Sequence, residues 1–230
     1  EVLLKIEKRH TDLLNKHPEF KNYCTAVLSY DEGFIDFCKN EKILDYVSQL
    51  IGTDFALWNS SFFAKTPIDG HDTPWHQDWH YGPIRPLATC TVWLAVDDST
   101  PENGCLKFIK GSHIDQKLKS HNENNCKNLT LNQELANEEF DETEAVNLVL
   151  DRGQISLHDV YLVHGSEANN SPKARRAITM RFMPTTSIFD HQLVKDNKMF
   201  SKLNANKYLD RKIYHMRGND ISGKNNLTYI

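Results

Sequence analysis

Four side chains have the types and spacing of an oxygen-activating metal site. His76 and Asp78 lie two residues apart, and His164 follows 86 residues after Asp78. Arg175 lies 11 residues beyond His164. Two imidazoles and one carboxylate can hold one face of an Fe(II) ion and leave its other positions open. An arginine can hold the far carboxylate of a small diacid through two parallel hydrogen bonds. The set therefore predicts an iron site with a clamp for 2-oxoglutarate, as in an iron- and 2-oxoglutarate-dependent oxygenase.

The elements that must position these side chains are expected to be strands. Residues i and i+2 of a strand point to the same face, so His76 and Asp78 can reach one ion. His164 follows an apolar run, which predicts that it ends a buried strand over Tyr161–Val163. Distant strands that meet inside a barrel can close such a triad.

The chain is predicted to begin with helices and to change to strands at Phe55. Helical spacing of apolar residues predicts helices over 2–14, 31–38 and 41–51, with Pro18 and Gly52 as stops. Short β-branched or aromatic segments predict strands at Phe55–Lys65, Ala88–Val96, Cys105–Ile109, Ala145–Leu150, Gln154–Leu157, Tyr161–Val163 and Ala177–Met183. The predicted fold is mainly β with flanking helices, a double-stranded β-helix of the jelly-roll, cupin-like kind.

We interpret residues 1–230 as a single domain. Its predicted parts are a helical lead-in (1–52), a jelly-roll core (53–190) with an insertion (112–142), and a C-terminal tail (191–230) with one helix near Lys198–Lys212. The insertion is polar and partly acidic. Long loops in compact domains are often functional, so it is either a solvated surface loop or a lid over the site.

The composition narrows the class of partner. The net charge is -4, and no long basic run is present, so neither nucleic acid nor an anionic membrane is an expected partner. No stretch reaches the ~18 apolar residues of a membrane span, and no signal peptide is visible. The five cysteines form no Cys-x-x-Cys pair, which favours a reducing compartment, and we predict the cytoplasm. The chain is expected to act as a monomer or homodimer on a small-molecule substrate.

Several segments, in order, resemble the phytanoyl-CoA dioxygenase family over roughly Ile43 to Met183. They are Trp75–Pro86, Thr91–Asp98, Asn103–Leu106 with Gly111–His113, and His164–Ser166 with Asn169, Ser171 and Arg175. This many ordered pieces make the resemblance specific.

The resemblance implies a role for each matching residue. His76, Asp78 and His164 would bind Fe(II), and Arg175 would pair with the C5 carboxylate of 2-oxoglutarate. The further residues implied to contact this cosubstrate are Ser166, Trp93, Gln77, Asn59 and Ser61. With O2 as the oxidant, the implied reaction is hydroxylation of an unactivated C–H bond of a small-molecule or acyl substrate, with release of succinate and CO2. Halogenating relatives replace the carboxylate ligand, so the intact Asp78 favours a hydroxylase.

Other side chains near His76 and Asp78 could either bind the substrate or have a structural role. Trp58, Trp75, Trp79 and Tyr81 form either an aromatic wall for the substrate or part of the core. Lys65, His80 and Arg85 could bind a carboxylate or phosphate of the substrate. His80 and His158 could also support the metal ligands from outside.

Three rival functions remain to be separated. An oxygenase that dealkylates nucleic acid uses the same triad with paired arginines, and Arg175 and Arg181 are six residues apart. A non-catalytic jelly-roll protein that binds a ligand has no need for an open iron site. A zinc hydrolase could use His/Asp/His ligation, but it has no reason to carry Ser166 and Arg175 at these positions.

Overall fold

The computed structural model describes residues 1–78, 82–196 and 211–230. The helices of this part are α1 (Val2–Lys16), α2 (Ile35–Cys38), α3 (Glu41–Ile51) and α4 (His191–Asp196). Short 3-10 turns occur at Pro18–Phe20, Val27–Ser29, Glu32–Phe34, Pro101–Asn103, Asn137–Glu139 and Glu142–Glu144. The three helices predicted in the lead-in are confirmed. The helix predicted near Lys198–Lys212 falls almost entirely on residues 197–210, which lie outside the described residues.

Local chemistry explains where α3 begins and ends. The Asn40 side chain accepts hydrogen bonds from the backbone N–H groups of Lys42 and Ile43, which satisfies two donors of the first turn. Gly52 ends the helix with a φ of 87°, a conformation that glycine adopts at no steric cost.

The strands are short, apart from two long ones. Their bounds are β1 (Tyr23–Cys24), β2 (Phe55–Lys65), β3 (Thr73–His76), β4 (Ile84–Arg85), β5 (Cys90–Ala95), β6 (Leu106–Ile109), β7 (His121–Glu123), β8 (Gln133–Leu135), β9 (Ala145–Leu148), β10 (Ile155–Asp159), β11 (His164–Ser166), β12 (Arg175–Pro184), β13 (Ile188–Phe189), β14 (Ile213–Arg217) and β15 (Leu227–Thr228). The mainly β architecture with flanking helices is confirmed.

The strands form two principal sheets, which are not closed into a barrel. The larger sheet has seven strands in the order β10-β5-β12-β2-β14-β15, with β1 also paired to β2. The smaller sheet has four strands in the order β3-β11-β6-β9. Two further pairs are β13 with β4 and β7 with β8. Neighbours in the sheets are mostly distant in sequence, as expected for a jelly roll.

One predicted strand is wrong, and its error concerns a candidate ligand. The chain turns over residues 159–162, where the Leu162 N–H donates to Asp159 O at 3.2 Å and the Asp159 side chain accepts a 2.8 Å hydrogen bond from the Tyr161 N–H. The strand begins only at His164, so this residue starts β11 and does not end a strand. An apolar run indicates contact with the protein interior, and here Val163 is buried although the segment is not a strand.

The insertion and the tail contain strands that the sequence patterns did not indicate. Within the insertion, β7 and β8 form a hairpin with His121 opposite Leu135. In the tail, β14 pairs with β2, with Tyr214 opposite Leu57. β7 and β8 are mostly polar, and β14 lacks a clear alternation of apolar and polar residues, so their strand pairing depends on the neighbours that the fold provides.

The chain divides into two compact units. The first comprises Glu1–Cys24, Phe62–His80 and Trp93–Ile178, and the second comprises Thr25–Ser61, Tyr81–Val92 and Thr179–Ile230. The interpretation of residues 1–230 as a single domain stays a prediction.

Each unit has its own apolar packing. In the first unit, Trp93 and Leu106 belong to one buried cluster and Ile109 and Leu135 to another. In the second unit, Phe55 meets Phe182 edge to face with ring centroids 5.8 Å apart.

Two further features of the described chain bear on its class. No helix within residues 1–78, 82–196 and 211–230 is long and apolar enough to cross a bilayer. No disulfide links the five cysteines, all of which lie in the described part.

Candidate metal site

The pairing of β3 with β11 brings the two candidate histidine ligands together. His76 and His164 are direct partners across this antiparallel pair, and their ring centroids lie 4.2 Å apart. Asp78 lies in a turn just after β3, where its backbone N–H donates to Val160 O at 3.1 Å. The expectation that one strand carries both His76 and Asp78 was therefore wrong for Asp78, although both side chains reach the same place. One ligand atom from each of the three buried residues lies within 4.8 Å of the others.

Hydrogen bonds to the backbone set which ring nitrogen each histidine presents. His76 Nδ1 lies 2.8 Å from Pro74 O, and His164 Nδ1 lies 2.9 Å from Leu162 O. Because a carbonyl only accepts, each Nδ1 must carry the proton, and each Nε2 keeps its lone pair for a metal. Burial, with smaller effects of His76 and His158, holds the pKa of His164 well below its usual value. The neutral form therefore dominates at neutral pH.

The donor set fits Fe(II). It combines two neutral imidazole nitrogens with one carboxylate, and this combination is typical of iron sites that keep positions open for other ligands. The Asp78 Oδ1 atom lies 3.8 Å from His76 Nε2.

Arg175 forms a buried cationic site in the same unit. Its Nε donates to Gly104 O at 3.2 Å, and its Nη2 donates to Ser166 Oγ at 3.5 Å. Its Cζ lies 5.4 Å from the centre of the Trp93 ring. Burial lowers the pKa of Arg175 to about 10, so the guanidinium stays charged at neutral pH.

In the described part of the chain, no carboxylate forms an ion pair with Arg175. A buried cation without an anion is costly, and a bound carboxylate would remove that cost. The structure thus places Arg175, Ser166 and Trp93 together, as the resemblance implies.

Lys65 has a different role from the one considered for it. Its buried Nζ contacts three backbone carbonyls, those of His71 (2.7 Å), Ser166 (3.1 Å) and Glu167. Burial, then the charge of Arg175, lowers the pKa of Lys65 to about 6. The three carbonyl acceptors oppose this shift, because only the ammonium form has three N–H donors. Lys65 therefore braces the segment that carries Ser166, and its Nζ is not free to bind substrate.

Gln77 is held by the insertion. Its Nε2 donates to Lys117 O (2.9 Å) and Tyr161 O (2.7 Å), and its Oε1 accepts from the Lys119 N–H (2.7 Å). Its backbone N–H donates to His121 Nε2 at 3.1 Å. These bonds tie the insertion to the segment between His76 and Asp78. The Gln77 amide is therefore already engaged by backbone groups. Its contact with the cosubstrate stays a prediction.

Asn59 and Ser61 belong to the second unit. Asn59 Nδ2 donates to Ser61 Oγ at 3.4 Å, and Ser61 Oγ donates to Thr25 O at 2.8 Å. Arg181 Nη1 donates to Ser61 Oγ at 3.0 Å. The two residues thus lie in a buried polar cluster, and their cosubstrate role remains a prediction.

The remaining residues named from the sequence have varied environments. Trp75 packs on Phe140, with ring centroids 5.2 Å apart. Arg85 Nη1 donates to Gly82 O and Ile84 O, both at 2.7 Å. Trp79, His80 and Tyr81 lie outside the described residues. His158 lies beside the triad, with its Nε2 3.4 Å from Asp78 Oδ2.

Comparison with known proteins identifies the family. The family profile described as Phytanoyl-CoA dioxygenase (PhyH) matches residues 7–177. The chain is 30% identical over 176 residues to a phytanoyl-CoA dioxygenase domain-containing protein 1 homolog of Dictyostelium discoideum, covering 74% of this chain and 62% of that protein. It is also 30% identical over 158 residues to the peroxisomal phytanoyl-CoA dioxygenase of Homo sapiens, covering 66% of this chain and 46% of that protein. The chain thus spans less than two-thirds of the length of these relatives.

Solved structures show the same fold. The apo form of the non-heme monooxygenase ThoJ superimposes with a TM-score of 0.63 at 22% identity, covering 87% of this chain and 65% of that one. EvdO2 of Micromonospora carbonacea, complexed with 2-oxoglutarate, gives a TM-score of 0.59 at 23% identity, covering 70% and 66%. The profile match spans most of the chain and includes both segments with candidate metal ligands, and we conclude that this protein belongs to the phytanoyl-CoA dioxygenase family.

Proposed function

We propose that this protein is an Fe(II)- and 2-oxoglutarate-dependent dioxygenase that hydroxylates an unactivated C–H bond of a small-molecule or acyl substrate. The observation that carries the proposal is the buried set of His76, Asp78 and His164, whose ligand atoms lie within 4.8 Å of one another. The two-histidine, one-carboxylate set is typical of non-heme iron oxygenases. Family membership supports the same reaction class.

The residues of this chain would hold and orient the reactants. His76, Asp78 and His164 would hold Fe(II), and Arg175 with Ser166 would hold the distal carboxylate of 2-oxoglutarate. Fe(II) with 2-oxoglutarate supplies, when bound, the activation of O2 that puts one oxygen atom into the substrate C–H bond and the other into succinate, with loss of CO2. The three side chains are buried, and exclusion of water from such a site would direct the oxidant to the substrate.

Two curated relatives indicate the range of substrates. One is named a phytanoyl-CoA dioxygenase, and another, from Stutzerimonas stutzeri, is named a probable alpha-ketoglutarate-dependent hypophosphite dioxygenase. Both names describe action on compounds that are not macromolecules. We propose a substrate of this class, consistent with the net charge of -4, which does not favour nucleic acid.

The test is an anaerobic absorption titration of the metal-free protein with Fe(II) and then 2-oxoglutarate. We expect a visible metal-to-ligand charge-transfer band in the wild type and its loss in Asp78→Ala, because the variant lacks the anionic ligand. Asp115→Ala, the same change at an exposed position of the insertion, is the matched control and should keep the band. A folded wild type without a band would contradict the proposal and favour the ligand-binding or zinc interpretation.

The substrate class is tested by succinate release in air. Candidate substrates are an acyl-CoA, small organic acids and an N-alkylated oligonucleotide. We expect stimulation by a compound of the first two kinds. Stimulation by the oligonucleotide alone would overturn the proposed class in favour of a nucleic-acid dealkylating oxygenase.

A further inference from the structure

His158 is a histidine beside the triad that the proposed ligand set does not use. It lies on β10, six residues before His164, and the two ring centroids are 4.7 Å apart. Only 8% of its side chain is exposed. Within the described residues, its Nε2 is a buried atom that has no hydrogen-bond partner. Such atoms are rare in native proteins because burial without a partner costs free energy, and each one calls for a physical explanation.

The acceptor within reach of His158 is the candidate carboxylate ligand. His158 Nε2 lies 3.4 Å from Asp78 Oδ2, while His76 Nε2 lies 3.8 Å from Asp78 Oδ1. The two oxygens of Asp78 therefore face different neighbours. Oδ1 faces the metal-binding nitrogen of His76, and Oδ2 faces His158. A small rotation of either side chain would convert the 3.4 Å approach into a hydrogen bond of ordinary length.

Asp78 differs from the two candidate histidine ligands in its place in the chain. Asp78 lies in a turn after β3, and its N–H bonds to Val160 O. Each of these histidines lies on a strand and has its ring fixed by a backbone carbonyl at Nδ1. A carboxylate ligand needs an equivalent support to bind a metal through one chosen oxygen, and outer hydrogen bonds commonly provide it.

We propose that His158 is a positioning residue for Asp78. Its Nε2–H donates to Oδ2, so that Oδ1 would be the oxygen that holds the metal. This inference rests on the proposed function, since it assigns His158 to the same iron site. It predicts that His158 affects metal affinity through a hydrogen bond, without binding the metal itself.

The test is a binding titration with Mn(II) alone. The electron paramagnetic resonance signal of free Mn(II) reports how much of the ion is bound. His158→Leu removes the donor, and His158→Asn has an amide too short to reach Oδ2. His158→Gln keeps an N–H donor at about the reach of the imidazole. We expect Kd for Mn(II) to rise by ~10- to 100-fold in the first two variants, which is the usual cost of losing an outer-shell partner. His158→Gln should stay within about 5-fold of wild type.

His10→Leu is the matched control, because it makes the same change at another buried histidine, on α1, and should leave Kd for Mn(II) unchanged. Thermal unfolding of each metal-free variant separates loss of fold from loss of affinity. If His158→Leu does not fold, His158→Asn replaces it as the variant that lacks the donor.

The outcomes distinguish this inference from the proposed function. Wild-type affinity in all three His158 variants would overturn the positioning role. Equal loss in all three, as large as in His164→Ala, would overturn it in favour of direct metal ligation by His158. Both results leave the proposed function intact if the wild type gives the Fe(II)–2-oxoglutarate band, whereas a wild type with neither Mn(II) binding nor a band would contradict both.

Discussion

The two candidate histidine ligands, His76 and His164, are oriented by carbonyls two residues before them. His76 bonds to Pro74 O and His164 bonds to Leu162 O, both through Nδ1. The same arrangement recurs at His121, whose Nδ1 lies 2.9 Å from Lys119 O. In His121, however, the Nε2 atom accepts the Gln77 N–H and so is not available to a metal. At the residue scale, a candidate ligand histidine differs from a structural one in whether its Nε2 already accepts a hydrogen bond from the protein.

Arg175 gives the first residue-scale prediction. Replacing it with lysine keeps the charge but removes the planar donor pair that matches a carboxylate. We expect Arg175→Lys to raise the apparent Kd for 2-oxoglutarate by ~10- to 100-fold, equivalent to about 1.4 to 3 kcal/mol, because hydrogen bonds to charged groups contribute this much. The measurement is the 2-oxoglutarate dependence of the charge-transfer band at saturating Fe(II).

The next residue provides the control for this prediction. Arg176 pairs with Asp97 through a 2.7 Å contact and with Glu7 through a 3.1 Å contact. Arg176→Lys should therefore leave the Kd for 2-oxoglutarate unchanged. An effect of equal size in both variants would show that the loss at Arg175 is not specific to the clamp.

At the element scale, the insertion is connected to the site through Gln77. The Gln77 amide bonds to the backbone of residues 117 and 119, and Thr130 N–H donates to Asp72 O at 2.8 Å just before β3. The insertion thus packs along the strand that carries His76. Whether it closes over a substrate remains a prediction.

We expect Gln77→Leu to loosen the insertion more than the cosubstrate site. The variant loses three hydrogen bonds that hold residues 117–119 and 161, so hydrogen exchange of the amides in 117–121 should become faster by at least ~10-fold, which corresponds to about 1.4 kcal/mol of lost local stability. The Kd for 2-oxoglutarate should change by less than about 3-fold. Asn122→Leu, an exposed change on β7, is the control and should not alter exchange at 117–119.

The opposite result for Gln77→Leu would also be informative. A large loss of 2-oxoglutarate affinity with unchanged exchange would restore the role that the family resemblance implies for Gln77. It would mean that the amide turns towards the cosubstrate when the latter binds.

At the scale of the whole molecule, His10 couples the stability of the metal-free protein to pH. His10 is buried on α1 and stacks on Phe62, with ring centroids 3.9 Å apart. Burial, then the charge of Arg176, lowers the pKa of His10 to about 4, from 6.5 in the unfolded chain. Between these values the unfolded chain binds more protons than the folded protein, so the free energy of unfolding rises with pH in this window.

We expect the stabilising contribution of neutral His10 to be fully present well above pH 6.5 and to be lost as the pH falls towards 4. The contribution of His10 reaches up to about 3 kcal/mol, from a shift of roughly 2.5 pKa units at about 1.36 kcal/mol each. His10→Phe should flatten the dependence between pH 6.5 and 4 relative to wild type. The measurement is urea unfolding of the metal-free proteins at several pH values. Above pH 7 the free energies of unfolding of the variant and the wild type should depend on pH in the same way. The same pH dependence below pH 6 would contradict the assignment.

The candidate site residues and the bounds of several elements can be predicted from the sequence, because the signals for them are local. The residue types at 76, 78, 164 and 175 indicate the metal and the clamp, since ligand chemistry depends on the side chain itself. The apolar periodicity of α1 and α3 and the continuous burial of β2 report the local environment, and their bounds agree closely with the structure.

Other features depend on tertiary structure, because they arise from contacts between distant segments. Strand register, which places His164 opposite His76, is set by the whole sheet. The brace formed by Lys65 and the approach of His158 to Asp78 require carbonyls and carboxylates that come close only in the folded chain. Likewise, the apolar run before His164 indicated contact with the interior, but its tertiary neighbours decided that residues 161–163 are not a strand, since burial alone does not distinguish a strand from a turn or loop.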